Sequence, residues 1–321
     1  MSDLKDFRLS GLVAAPHTPF DMDGSLYLDV IEEQAALLAD SGVSGAFVCG
    51  TTGEGLSLTT EERKSVARQW VNVARGRLKV IVHVGHASQR EAIELARHAG
   101  QIGATAVSAL APFFFKPATA AQLVDSCRPI AAAAPELPFY FYNIPSMTGV
   151  SISMVQFLEL AAERIPTFRG IKFTHGDMME FQRCRAVNDG AFDIAWGVDE
   201  MLLGALAIGT DAAVGSTYNY AAPLYLRMID AFRAGDLSTA QSLGRQVTDM
   251  VAILLKHGVL RTGKATMSLV GIECGQPRSP VPPLTREEWV EIRDAYERIG
   301  FFELWNGRAR RTATPALAST R

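Results

Sequence analysis

Short apolar, β-branched runs recur along the chain, separated by stretches in which apolar residues return every three or four positions. The runs predict strands at 11–16 (GLVAAP), 45–50 (GAFVCG), 79–85 (KVIVHVG), 105–112 (TAVSALAP), 138–143 (PFYFYN), 169–174 (RGIKFT), 192–197 (FDIAWG) and 211–217 (DAAVGST). Helix signals lie between them. TTEERKSVARQWVNVA opens with Thr60 before paired glutamates, and SQREAIELARHAGQIG opens with Ser88 and closes at Gly100 and Gly103. Strands alternating with helices over 8–235 predict an α/β fold, a (β/α)8 TIM barrel. A doubly wound open sheet usually carries a GxGxxG turn after its first strand, and none follows GLVAAP. Beyond 235 the pattern turns to helices without strands: DLSTAQSLGRQVTDMVAILLKHG, GKATMSLVGI and TREEWVEIRDAYERI. These predict a C-terminal helical appendage over 236–304, with the Pro-rich CGQPRSPVPPLT as an extended link into its last helix and a disordered tail over 305–321.

Composition narrows the class of protein. With 48% hydrophobic residues in 321, the chain can bury a large core. Its net charge of -3 gives no reason to expect nucleic acid or an anionic membrane surface as a partner. The one basic cluster, Arg308 to Arg321, reads as a frayed terminus. Cys49, Cys127, Cys184 and Cys274 share no CxxC spacing, which fits a reducing compartment. There is no apolar signal region at the start, and no window approaches the roughly 18 apolar residues of a membrane span. The expectation is a cytoplasmic enzyme.

In a barrel of this kind the chemistry sits at the C-terminal ends of the strands. The second strand runs into GTTGEG (50–55), where glycines allow close backbone approach and Thr51 and Thr52 offer hydroxyls and amides to an anion. In the fifth, Tyr140 and Tyr142 share one face by strand parity, and Phe139 and Phe141 the other. The sixth carries a lysine where a buried strand should be apolar. Parity sends Gly170, Lys172 and Thr174 one way and Ile171 and Phe173 the other, so Phe173 takes the helix side and Lys172 the lumen. The ordinary alternative is a snorkelling or ion-paired lysine. Burying an ammonium is costly and favours the neutral amine that attacks a ketone. Tyr142 ends the neighbouring strand, about 4.8 Å away in a sheet, within reach to exchange protons with an adduct on Lys172. Together they predict a carbinolamine and Schiff-base site, with the GTTGEG turn taking a carboxylate beside the ketone.

The set Gly50-Thr51-Thr52-Gly53-Glu54, Tyr142-Asn143-Ile144-Pro145, Gly170-Ile171-Lys172-Phe173-Thr174 and Gly215-Ser216-Thr217 resembles the pyruvate-dependent class I aldolases typified by N-acetylneuraminate lyase and dihydrodipicolinate synthase. The resemblance spans roughly 8–280. GLVAAPHTPF, GTTGEGLSLT, APFFFKP, IPTFRGIKF, GVDE and GSTYNY bring it closest to the lyase branch. It implies that Lys172 forms the imine, that Tyr142 shuttles the proton, and that Thr51 and Thr52 hold the pyruvate carboxylate. Thr174, Gly197, Asp199, Glu200 and Ser216 would bind the polyol of the sugar. The implied reaction is reversible cleavage of N-acetylneuraminate to N-acetylmannosamine and pyruvate. It needs no cofactor and no metal, and the implied assembly is a homotetramer. Other family members acting on different 2-keto-3-deoxy sugar acids, or dihydrodipicolinate synthase itself, are the alternatives.

Two positions depart from the family. Met147 stands where the synthase branch carries an arginine in YNxPSRTG, and it cannot make a charge-assisted pair. APFFFKP offers Phe113, Phe114 and Phe115 where the family often has a tyrosine donated across a subunit interface, which would leave Tyr142 to work with substrate groups or water. His175 is placed at the pocket rim without assigned chemistry.

Three motifs are read as decoys. Gly258, Gly263 and Lys264 have P-loop spacing, but Ala265 follows instead of Ser or Thr, and a helix precedes them. His83 and His86, three apart on an extended segment, would face opposite ways, which argues against a metal-dependent barrel hydrolase. Asp199 and Glu200 resemble a general-acid pair, yet adjacent residues diverge, and sugar-hydroxyl binding or helix N-terminal charge is preferred.

Overall fold

All eight apolar runs are strands, and they close in chain order into one parallel barrel. The structure, a computed structural model that describes residues 6–305, has β1 (Gly11–Ala14), β2 (Gly45–Val48), β3 (Lys79–His83), β4 (Ala106–Leu110), β5 (Phe139–Asn143), β6 (Phe168–Phe173), β7 (Asp193–Trp196) and β8 (Ala212–Gly215). Each is followed by its helix: α1 (Val30–Asp40), α2 (Thr60–Ala74), α3 (Gln89–Gln101), α4 (Ala120–Ala132), α5 (Met154–Arg164), α6 (Met178–Ala186), α7 (Leu202–Ala207) and α8 (Tyr218–Arg233). Beyond the barrel come α9 (Leu237–His257), α10 (Val259–Leu269) and α11 (Arg286–Arg298), and a 3-10 turn over Phe301–Trp305 ends the described chain. The tail expected over 305–321, with its basic cluster, lies outside the described residues apart from Trp305. Among the described residues no helix is long and apolar enough to cross a membrane.

Strand parity divides the core in two. Val13, Phe47, Ile81, Ala106, Tyr140, Tyr142, Ala195 and Val214 fill the lumen. Phe139, Phe141, Ile171 and Phe173 face outward into the layer between sheet and helices. The lumen is stoppered at the N-terminal ends of the strands. There the Leu9 amide and the Tyr140 hydroxyl both donate to Asp193 Oδ2, at 2.7 and 2.8 Å, and Phe7 packs edge-on against Tyr140. Active chemistry is left with the opposite mouth.

Helix starts follow side-chain capping. Thr59 rather than Thr60 caps α2: its hydroxyl accepts from the Glu62 amide while the Glu62 carboxylate accepts from the Thr59 amide, a reciprocal box. Ser88 caps α3, whose end is set by Gly103 at φ +78°, while Gly100 remains inside the helix. In the P-loop look-alike Gly258 separates α9 from α10 and Gly263 and Lys264 lie within α10, so no loop is left to cradle a phosphate, and Lys264 goes elsewhere. The Pro-rich segment between α10 and α11 crosses the connection from β2 to α2. Its Arg278 donates to the carbonyls of Gly24 and Ser57 and, through two nitrogens, to both carboxylate oxygens of Glu62. All four cysteines are buried free thiols, and Gln34 donates to Cys274 Sγ at 3.2 Å.

Candidate active site

Lys172 lies in the lumen near the end of β6, with 5% of its surface exposed. It pairs in register with Tyr142 on β5, and its Nζ sits 4.1 Å from the Tyr142 ring centre and 4.2 Å from that of Phe47. Two aromatic faces therefore line the approach to the amine. Gly170 is small for a reason that parity does not reveal: a Cβ there would fall 1.7 Å from the Asp193 carbonyl oxygen, so β7 could not approach.

The Tyr142 hydroxyl lies 3.2 Å from Thr51 Oγ1, joining the end of β5 to the turn after β2. Phe47 and His83 brace the same ring edge-on, with centroids at 5.4 and 5.7 Å. His83 Nδ1 is 3.1 Å from the Cys49 carbonyl, which can only accept, so Nδ1 carries the proton. Burial, and next the Arg63 guanidinium, hold this ring neutral by pushing its pKa far below the usual histidine value. Arg63 is itself buried and donates to the carbonyls of His83 and Gly85 at 2.7 and 2.8 Å, tying α2 to the end of β3. His86 turns away, with Nδ1 accepting from the Ser88 amide at 2.9 Å. The sequence favours a core or solvated histidine over a metal ligand at His83, and it is a core one; its lumen-facing parity was the signal for a packing partner of Tyr142.

On the other side of Lys172, the ends of β6, β7 and β8 present polar groups. Thr174 Oγ1 is buried with no protein partner, which leaves it to a ligand. A Cβ at Gly197 would lie 2.1 Å from that oxygen, and one at Gly215 would lie 1.7 Å from Asp199 Oδ1. Both glycines make room for the polar side chain of the neighbouring strand. Asp199 is buried, and its Oδ2 accepts from the Thr217 amide and hydroxyl at 2.9 and 2.7 Å. Burial raises its pKa above the ordinary carboxylate value. Ser216 is half-buried, and its carbonyl accepts from Asn219 Nδ2 at 2.7 Å. Glu200 diverges from Asp199 and lines a groove between α7 and α9 with Gly204, Gln241 and Gly244. His175 is exposed at the rim.

A second, apolar cleft of 230 Å³ opens beside Thr51 and His83, lined by Leu56, Phe113, Met147 and Val281 among others. Met147, at the position where the synthase branch has its arginine, is 65% exposed and brings no charge to this cleft. Phe114 and Phe115, at 77 and 86% exposure, project from the loop after β4.

Comparison with known proteins places this geometry. The chain is 44% identical to the mouse N-acetylneuraminate lyase over 300 residues, covering 92% of this chain and 93% of that one. The solved N-acetylneuraminate lyase of Proteus mirabilis superposes with a TM-score of 0.90 at 45% identity, over 92% of this chain and all of the other. The sialic acid aldolase of Aliivibrio salmonicida gives the same TM-score at 43% identity, over 92% of this chain and 98% of its own. The model of the dihydrodipicolinate synthetase family matches residues 8–299, strands, mouth and most of the C-terminal helices together. With the family model spanning strands and mouth alike, the chain belongs to the dihydrodipicolinate synthetase family.

Proposed function

We propose that the protein is a Schiff-base lyase that reversibly cleaves N-acetylneuraminate to N-acetylmannosamine and pyruvate. The observation that carries the reading is the triad of Lys172, Tyr142 and Thr51, set where the three strand ends meet. Lys172 Nζ adds to the C2 ketone of the open-chain sugar acid, and loss of water gives an iminium. The iminium takes up the electron pair of the C3–C4 bond when the C4 hydroxyl loses its proton through Tyr142 and the substrate carboxylate. N-acetylmannosamine leaves as the aldehyde. The enamine on Lys172 is protonated at C3, and water hydrolyses the imine to pyruvate. Thr51 and Thr52 receive the carboxylate, while Thr174, Gly197, Asp199, Glu200 and Ser216 receive the polyol. The lysine supplies the electrophile itself, so no metal or organic cofactor is required.

Support for the sugar acid comes from the polar groups gathered on the Thr174 side and from the uncharged Met147 in the cleft beside Thr51. The same reading takes the barrel over 8–235 as the catalytic unit and 236–304 as an appendage, in a cytoplasmic homotetramer. Borohydride reduction in the presence of pyruvate tests it. Irreversible labelling of Lys172 and loss of activity are expected, and activity should survive exhaustive EDTA. Intact activity without labelling would sink the imine mechanism. Pyruvate release from other 2-keto-3-deoxy acids, but not from N-acetylneuraminate, would move the substrate.

A further inference from the structure

The turn that is to receive a carboxylate contains a carboxylate of its own. Glu54 stands two residues beyond Thr52, is 5% exposed, and adopts the left-handed conformation at φ +52°. A non-glycine residue there is strained, and a buried carboxylate needs partners on both oxygens. A charge beside Oε1 and a hydrogen bond to Oε2 both come from far along the chain. Lys264 Nζ on α10 lies 3.0 Å from Oε1, with both side chains sealed from solvent. The Arg278 amide, from the Pro-rich segment, donates to Oε2 at 2.8 Å. Lys264 also donates to the carbonyls of Thr18 and Gln276, at 3.0 and 3.1 Å. The Thr18 hydroxyl in turn donates to the Gly53 carbonyl at 2.6 Å, inside the same turn. Lys264 Nζ also sits 4.1 Å from the centre of the Phe20 ring.

We propose that Lys264 is a positioning residue for keto-acid recognition: through Glu54 and Thr18 it holds the 50–55 turn in the shape that presents Thr51 and Thr52 to the substrate carboxylate. The proposal rests on the reading of that turn as the carboxylate site. Lys264 touches no substrate. Its ammonium binds the turn directly at Glu54 and, through Thr18, at Gly53. The C-terminal helices thereby act on the binding of pyruvate rather than on bond cleavage.

Glu54→Gln tests this with little change of shape. An amide can satisfy only one of the two donors, and its NH2 must face either the Lys264 ammonium or the Arg278 amide. Lys264→Met removes the cation outright. Kinetics in the condensation direction, with thermal melting of each variant, are the measurement. The pyruvate KM should rise about tenfold in Lys264→Met and severalfold in Glu54→Gln, with kcat and the N-acetylmannosamine KM changing far less. The pyruvate concentration for half-maximal borohydride labelling should rise in step. Should Lys264→Met fail to fold, Glu54→Gln decides alone. A lowered melting temperature with unchanged pyruvate KM in Glu54→Gln would reduce the pair to a structural role and overturn the proposal. Thr52→Ala separates the two levels. A raised pyruvate KM there with none in Glu54→Gln removes the positioning role only, whereas no rise in Thr52→Ala removes the carboxylate site and the proposal with it.

Discussion

At the scale of single residues, the site is built by small side chains giving way to large ones. Gly197 is the instance that bears on the sugar side, because Thr174 Oγ1 occupies the space a Cβ would need. Gly197→Ala must push Thr174 aside or bend the end of β7, and a loss of order 10²-fold in kcat/KM on the sugar acid is expected from such a misplacement. Reduction of the pyruvate imine by borohydride should persist in the variant, since Lys172 and Tyr142 are untouched. Loss of both at once would instead mean a collapsed barrel mouth. The direction of Lys172 was legible in the sequence because strand parity is a local rule: Phe173 and Ile171 claim the helix side and leave one face open. The need for glycine at 170 and 197 was not, since it depends on atoms of the neighbouring strand.

Between elements, the structure ties the Pro-rich segment to the start of α2. Arg278 binds both oxygens of Glu62, and Glu62 also closes the capping box with Thr59. The hydrogen bond from Arg278, first among several causes, holds the Glu62 carboxyl down at about 2, against an ordinary value of 4.5. A carboxyl whose pKa is depressed on folding contributes stability that is complete above 4.5 and is lost as pH falls towards 2. Denaturant unfolding of Arg278→Ala should therefore show lower stability at neutral pH and a shallower decline over that acid window, the gap narrowing below it to what the Gly24 and Ser57 contacts of Arg278 contribute. Parallel curves displaced by a constant amount would exclude the linkage. The partial exposure of the pair keeps its contribution modest. Element positions were well marked in the sequence: every apolar run is a strand, though the flanking Ala15-Pro16, Cys49-Gly50 and Ala111-Pro112 lie beyond the ladders. Runs stay apolar past the last strand pairing because the mouth beyond it is still covered. The cap at Thr59 instead of Thr60 shows the limit, as two adjacent threonines look alike until one carboxylate chooses between them.

For the whole molecule, the links least visible in sequence are those between residues more than two hundred positions apart, Glu54 with Lys264 and Glu54 with Arg278. The one hint was a glutamate inside a turn suited to anions, which needs a cation from somewhere. The four buried thiols turn this architecture into something that can be timed. Burial pushes Cys49 up to about 11 and Cys127, Cys184 and Cys274 up to about 12, so near pH 8 each thiol is both shielded and protonated. Modification by an aromatic disulfide reagent then runs no faster than the chain opens around each sulfur. Cys274 introduces the Pro-rich segment, whereas the other three sit between barrel strands and their helices. Should the C-terminal segment release before the barrel, Cys274 alone would be modified first in dilute urea, followed later by three together. Simultaneous modification of all four would mean that the appendage and the barrel melt as one cooperative body, a clock already written into the chain without any added label.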